Sequence, residues 1–137
     1  MNSPPWTPKD DGDTCRVLIV EDDADSARAL AIFVQRAGHE VETTRNGTEA
    51  LAVAASYKPH IVLVDIGLPG LDGLYVVREL RKTDRDLLIV ATTGRSGPEE
   101  VRSGREACCD HHLLKPIDLT ALAVILDQWK ARNGCGA

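Results

Sequence analysis

Short apolar, strand-like runs recur along this chain, and each is followed by a segment with helical spacing. The runs are Val17-Leu18-Ile19-Val20, Val41 to Thr44, Ile61-Val62-Leu63-Val64, Leu87 to Ala91 and Leu113-Leu114. Continuous apolar runs mark strands buried on both faces, which is the condition of a parallel sheet covered by helices. The first helix follows Asp22 and Asp23, places Ala27, Leu30, Ala31 and Val34 three and four residues apart, and stops at Gly38, which can take a left-handed terminal turn. The second occupies about residues 48 to 56, after the Asn46-Gly47 turn and before Pro59. The third runs from near Leu74 through Val77 and Leu80 to Lys82. A fourth begins near Pro98, and the last opens after Asp118 and passes Leu122, Leu126 and Trp129 toward Gly134.

Strands alternating with helices predict an α/β, (βα)5 doubly wound fold of the flavodoxin-like kind. Its common strand order is 2-1-3-4-5, with ligands bound past the carboxyl ends of strands one and three, where the order reverses. The core must be aliphatic, because 43% of residues are hydrophobic but only 4% aromatic. At 137 residues one domain is expected, which buries roughly two thirds of the unfolded chain's surface. Residues 1–14 are rich in proline and charge and read as a tail or linker, 15–133 as the domain, and 134–137 as a C-terminal tail.

A net charge of −5 with no basic stripe argues against direct nucleic-acid contact. No signal peptide or membrane-length apolar segment is read, so no membrane partner and a cytoplasmic location are expected. The cysteines, Cys15, Cys108, Cys109 and Cys135, have no C-x-x-C spacing, and four free thiols are expected.

Polar residues stand where these strands should end: Glu21-Asp22, Asp65, Thr93 and Lys115. Glu21, Asp22 and Asp65 would repel one another at close range unless a cation neutralised them. Mg2+ suits such a site, since it binds one or two carboxylates and keeps several waters. Asp22 is the expected direct ligand, with Glu21 direct or through water, Asp65 as a third and the Gly67 carbonyl as a backbone ligand. Glu21-Asp22 could also serve as a helix cap, a task open to Asp23 as well. A carboxylate can accept a phosphoryl group. Asp65 is the candidate, with Lys115 supplying positive charge and Thr93 a hydroxyl. Pro116 turns the chain after Lys115 and fixes where the ammonium points.

Four motifs in order make the chain resemble the receiver domain of bacterial two-component response regulators over about residues 15–133. They are Val-Leu-Ile-Val-Glu21-Asp22-Asp23, Val-Asp65-Ile-Gly-Leu-Pro69-Gly-Leu-Asp72-Gly73, Thr93-Gly94 and Leu-Leu-Lys115-Pro116-Ile. The resemblance implies a phosphoacceptor signalling domain rather than an enzyme, although such a domain takes part in its own phosphoryl transfer and autodephosphorylation. It implies transfer from a histidine kinase or histidine phosphotransfer protein to Asp65. It also implies a switch in which Thr93 moves toward the phosphoryl group and a surface of the fourth helix, fifth strand and fifth helix rearranges. A downstream protein target, and room for a phosphorylation-dependent dimer, go with that switch.

Two departures from the pattern matter. His112 stands where many receivers carry Tyr or Phe, as the second switch residue. Gly67 and Arg95 occupy the positions that influence phosphoryl lifetime. A flavin-binding reading lacks a phosphate cradle after strand one, where Glu21-Asp22-Asp23 would repel an anion. An aspartate-nucleophile phosphatase lacks its second acid, since Gly67 stands there. An unphosphorylated interaction module has no support from an intact set of Glu21, Asp22, Asp65, Thr93 and Lys115. The chain's extent is read as a stand-alone receiver or as the C-terminal receiver of a hybrid histidine kinase, with no output domain after it.

Overall fold

A computed structural model describes residues 15–66, 73–94 and 109–133. Five parallel strands, β1 (Arg16–Val20), β2 (Glu40–Thr44), β3 (Ile61–Asp65), β4 (Leu88–Thr93) and β5 (His111–Leu114), form one sheet of order β2-β1-β3-β4-β5. Helices α1 (Ala24–Arg36), α2 (Gly47–Tyr57), α3 (Gly73–Thr83) and a last helix (Leu119–Asn133) connect or follow them. The expected order is the observed one. The helix expected near Pro98 and the tails expected at 1–14 and 134–137 lie outside the described residues.

Strand ends differ from the apolar runs in an instructive way. β4 starts one residue later than expected and continues through both threonines, and β5 begins at His111 rather than Leu113. Backbone pairing sets these limits: His111 pairs with Val90 and Thr93 with Leu114, whatever their side chains. β5 is an edge strand and its residues are only partly buried, so polar side chains are tolerated there.

Successive strand residues point to opposite faces, and each face buries its own cluster. Val17, Ile19, Ile61, Leu63, Leu88 and Val90 pack with Leu30 and Val34 of α1 and with Leu122, Leu126 and Trp129 of the last helix. Leu18, Val20, Val62, Val64 and Ile89 pack on the other side with Ala50 of α2 and with Val76, Val77 and Leu80 of α3. Each fully buried aliphatic contributes about 1.5–3 kcal/mol.

Helix ends follow the sequence signals. Gly38 has φ +96° after α1, and Asn46 caps α2 by accepting from the Glu49 amide at 2.8 Å. α3 begins at Gly73 because nothing larger fits there: a Cβ would lie 2.5 Å from both the Asp65 carbonyl oxygen and Ile66 Cα. The helix therefore starts in direct contact with the end of β3.

At the opposite edge of the sheet, two imidazoles cap the start of β1. The Cys15 amide donates to His39 Nδ1 at 3.1 Å, and the Arg16 amide donates to His60 Nδ1 at 3.0 Å. Burial lowers the pKa of both rings; Lys130 lowers His39 further while Asp127 opposes it, and Arg16 and Asp84 play the same parts for His60. Cys15 is fully buried and disulfide-bonded. This corrects the expectation of four free thiols, because spacing along the chain cannot show which cysteines the fold brings together.

Both imidazoles accept through Nδ1 and are neutral when folded, so the unfolded chain binds protons more readily as pH falls. Their contribution is full above the ordinary histidine value of 6.5 and is lost as pH drops below it. Urea melts between about pH 7.5 and pH 5.5 should show stability falling with acidification. The double variant His39→Asn, His60→Asn should show a shallower slope; an unchanged slope would assign the effect elsewhere. For Gly73→Ala, the same melts should show a loss of roughly 1–3 kcal/mol from the backbone collision. Parent-like stability would mean that α3 and β3 do not meet so closely in solution.

Candidate functional site

β1 and β3 are neighbours whose carboxyl ends face the reversal of strand order. Glu21 follows β1 directly, and its amide donates to the Thr44 carbonyl at 3.0 Å, which carries the pairing with β2 one residue further. Asp23 is the N-cap of α1: its carboxylate accepts from the Ser26 amide at 2.9 Å and from Ser26 Oγ at 2.6 Å. Those bonds hold its pKa below the usual value. Capping is thus done by Asp23, and Glu21 and Asp22 are left to the sheet edge.

Asp65 closes β3 and is 7% exposed, while Glu21 is 2% exposed. Between them lies the Lys115 ammonium, with Nζ 2.6 Å from Glu21 Oε1 and 2.9 Å from Asp65 Oδ2. The Asp23 amide donates to Glu21 Oε2 at 3.1 Å. Asp22 is exposed, and one carboxylate oxygen from each of Glu21, Asp22 and Asp65 falls within 4.8 Å of the others. Burial raises the Glu21 pKa and Asp65 adds to that, and together they outweigh the Lys115 and Asp23 bonds that lower it. Burial lowers the Lys115 pKa, but its bonds to Glu21 and Asp65 outweigh burial and hold it above the ordinary value. Lys115 is positioned by its own backbone, since its amide donates to the Thr93 carbonyl at 2.8 Å.

Four of the residues singled out in the sequence, Glu21, Asp22, Asp65 and Lys115, come together here. Thr93 ends β4, buried at 4% exposure, one residue beyond Thr92, which pairs with Asp65. His112 lies opposite Ala91 on β5, half-buried, with both ring nitrogens shielded from solvent. Gly67, Asp72 and Arg95 lie outside the described residues. Sequence reasoning missed three things. Thr92 lies beside Asp65 with its hydroxyl 3.5 Å from the Val64 carbonyl, which only strand register could reveal. Gly73 touches the backbone of Asp65, although its Asp72-Gly73 motif had been noticed. Lys115 contacts Glu21 as well as the acceptor candidate, a pairing no spacing could give.

The donor set is all oxygen, with two shielded carboxylates and one in water. It suits a hard divalent cation that keeps part of its hydration shell. A phosphoryl group could lie between Asp65 and such a cation, with Lys115 beside it.

The family model for the response regulator receiver domain matches residues 17–127. The transcriptional regulatory protein PrrA of Mycobacterium leprae is 36% identical over 122 residues, covering 89% of this chain and 52% of PrrA. The response regulator MprA of Mycolicibacterium vanbaalenii is 39% identical over 107 residues, covering 78% of this chain and 46% of MprA. The chain thus spans about half the length of these relatives. Among solved structures, the chemotaxis response regulator CheY4 of Vibrio cholerae superposes with TM-score 0.78 at 27% identity, covering 85% of this chain and 98% of that one. The beryllofluoride-activated DrrB receiver domain gives 0.81 at 24% identity, with 87% and 99% covered, a likeness of fold. A family-model match along most of the chain, with relatives more than 30% identical over it, establishes that this chain belongs to the receiver-domain family of response regulators, the signalling domains of two-component systems.

Proposed function

We propose that Asp65 accepts a phosphoryl group from a histidine kinase or histidine phosphotransfer protein, in the presence of Mg2+, and that this switches a docking surface. The observation that carries the reading is the Lys115 ammonium shared by Glu21 and Asp65, with the Asp22 carboxylate in reach of both. Mg2+ would supply charge neutralisation and in-line orientation of the phosphoryl oxygens. Asp22, hydrated and exposed, would bind it, with Glu21, Asp65 and the Gly67 carbonyl completing the set. An Asp65 oxygen attacks phosphorus, an O–P bond forms, the P–N bond to the donor histidine breaks, and the leaving imidazole takes up a proton. Lys115 balances the added negative charge on the phosphoryl oxygens, and Thr93 donates its hydroxyl to one of them.

The domain is read as residues 15–133, with tails on either side, in the cytoplasm. The relatives named as transcriptional regulators support an output at DNA for a protein of their length. That weighs against the expectation of no direct nucleic-acid partner, drawn from the net charge and the lack of a basic stripe. A signal would leave through the fourth helix, β5 and the last helix, where Leu114, Leu119 and Val124 are exposed apolar side chains available to a protein target or a second copy. Thr93 would couple the site to this surface through its hydroxyl, drawn toward the phosphoryl group, and His112 stands on β5 in the second switch position.

Acetyl phosphate with Mg2+ should add one phosphate to the parent by intact-mass measurement, and Asp65→Asn or a chelator should abolish it. Equal labelling of Asp65→Asn would overturn the assignment. Amide shifts recorded with and without beryllofluoride should change at the site and also around residues 111–125. Thr93→Ala should confine the changes to the neighbourhood of Asp65. Distal changes that persist in Thr93→Ala would rule out coupling through the threonine.

A further inference from the structure

β5 carries Lys115 to the acidic site, yet little burial holds it: its four residues are half-buried or exposed, and it lies at the edge of the sheet. At its amino end, Asp110 engages Ile89 of β4 twice. The Asp110 amide donates to the Ile89 carbonyl at 2.8 Å, and the Ile89 amide donates to Asp110 Oδ2 at 2.8 Å. A side-chain carboxylate thus accepts an amide of the strand. The residues on either side, Cys109 and His111, have no carboxylate, so a slip of one residue would forfeit that bond.

The same oxygen accepts from Arg81 Nη2 at 2.7 Å. Arg81 stands in the last turn of α3, and its Nη1 donates to the Arg85 carbonyl at 2.9 Å and to the Leu87 carbonyl at 2.6 Å. One planar guanidinium therefore joins the end of α3, the turn into β4 and the residue that precedes β5. A fully exposed ion pair would add little, but the Arg81 side chain is 18% exposed and its other nitrogen is held by two carbonyls. α3 itself starts with Gly73 against the backbone of Asp65. It thus runs from the acceptor candidate's own backbone to the group that holds β5. Lys115 stands about 16 Å of extended chain beyond Asp110, at roughly 3.3 Å per residue, and its ammonium returns to Asp65 at 2.9 Å. The circuit closes where it began.

We infer that Arg81 and Asp110 are positioning residues for phosphoryl transfer: by fixing the amino end of β5 against β4, they set where the Lys115 ammonium stands beside Asp65. The inference rests on Asp65 being the phosphoacceptor. Neither residue touches the reacting atoms, since both lie at the amino edge of the sheet and Asp65 at the carboxyl edge. Without the clamp, only a four-residue ladder and the amide bond to Thr93 hold Lys115 in place. Misplacing a charge-bearing group by about 1 Å is enough to slow a reaction that depends on it. Glu21, Asp22 and Asp65 come from β1 and β3, so loss of the clamp acts on the ammonium and spares the carboxylates.

In the full chain, Asp110→Asn keeps the shape of the side chain and Arg81→Leu keeps much of its packing; the former decides alone if the latter does not fold. Labelling by acetyl phosphate with Mg2+ should slow by roughly 10- to 100-fold in each. Mg2+ affinity of the unlabelled variants should equal or exceed the parent's, because an ammonium displaced from Glu21 and Asp65 no longer competes with the cation. Exchange of the Lys115 amide should speed by roughly tenfold or more, with the amides of β1 unchanged. In a Lys115→Ala background, Asp110→Asn should bring no further slowing. Parent-like labelling, further slowing on top of Lys115→Ala, or Mg2+ affinity that falls in step with labelling would overturn the positioning role. A parent that takes no label would overturn the phosphoacceptor reading instead, and the Lys115 amide then decides the clamp by itself, with unchanged exchange counting against it.

Discussion

Gathering carboxylates at one edge of a sheet is possible only if something positive stands among them, and here that is the Lys115 ammonium. Glu21 and Asp65 are both buried, and each is within 3 Å of it. Isolated charges with so little water would be costly, and a well-placed counter-charge offsets much of that cost. The ammonium is delivered from β5 across β4 and β3, through a backbone bond to Thr93. The ion pair can therefore form only when four strands are in register. A one-residue slip of β3 would turn Asp65 to the other face and break it. Site and sheet depend on each other.

Three adjacent acids after β1 do three different tasks, and burial is what separates them. Asp23 faces water and turns back to cap α1, with its pKa lowered by Ser26. Glu21 is folded into the sheet edge, held by Lys115 and the Asp23 amide, and its pKa is raised by burial. Asp22 stays exposed. A hydrated carboxylate is the one able to meet an incoming cation without first losing its own solvation. The Glu-Asp-Asp run is therefore a division of labour that sequence order alone leaves undecided.

Much of this was legible in the sequence, for physical reasons. A strand covered on both faces must be apolar at every position, so Ile61-Val62-Leu63-Val64 announces itself, and Asp65 stands out by ending it. Gly38 and Asn46 mark helix ends because few residues serve there. What stayed hidden depends on contacts between distant segments. Thr92 and Thr93 belong to β4 because they pair with neighbours, not because they are apolar. Gly73 matters because the backbone of β3 is pressed against it. The Cys15 disulfide was misread because compartment and spacing arguments say nothing about which sulfurs meet.

The amino edge of the sheet shows how the same backbone problem is solved without charge. The amides of Cys15 and Arg16 are accepted by His39 and His60, whose rings lie near the last helix, one of them against Trp129. A buried neutral acceptor satisfies those donors with far less desolvation than a carboxylate would require. One end of β1 is thus closed by neutral imidazoles and the other by an ion-paired acid. The closed end anchors the sheet to its covering helices, while the charged end keeps Asp22 in water and its balance open to a cation or an added anion.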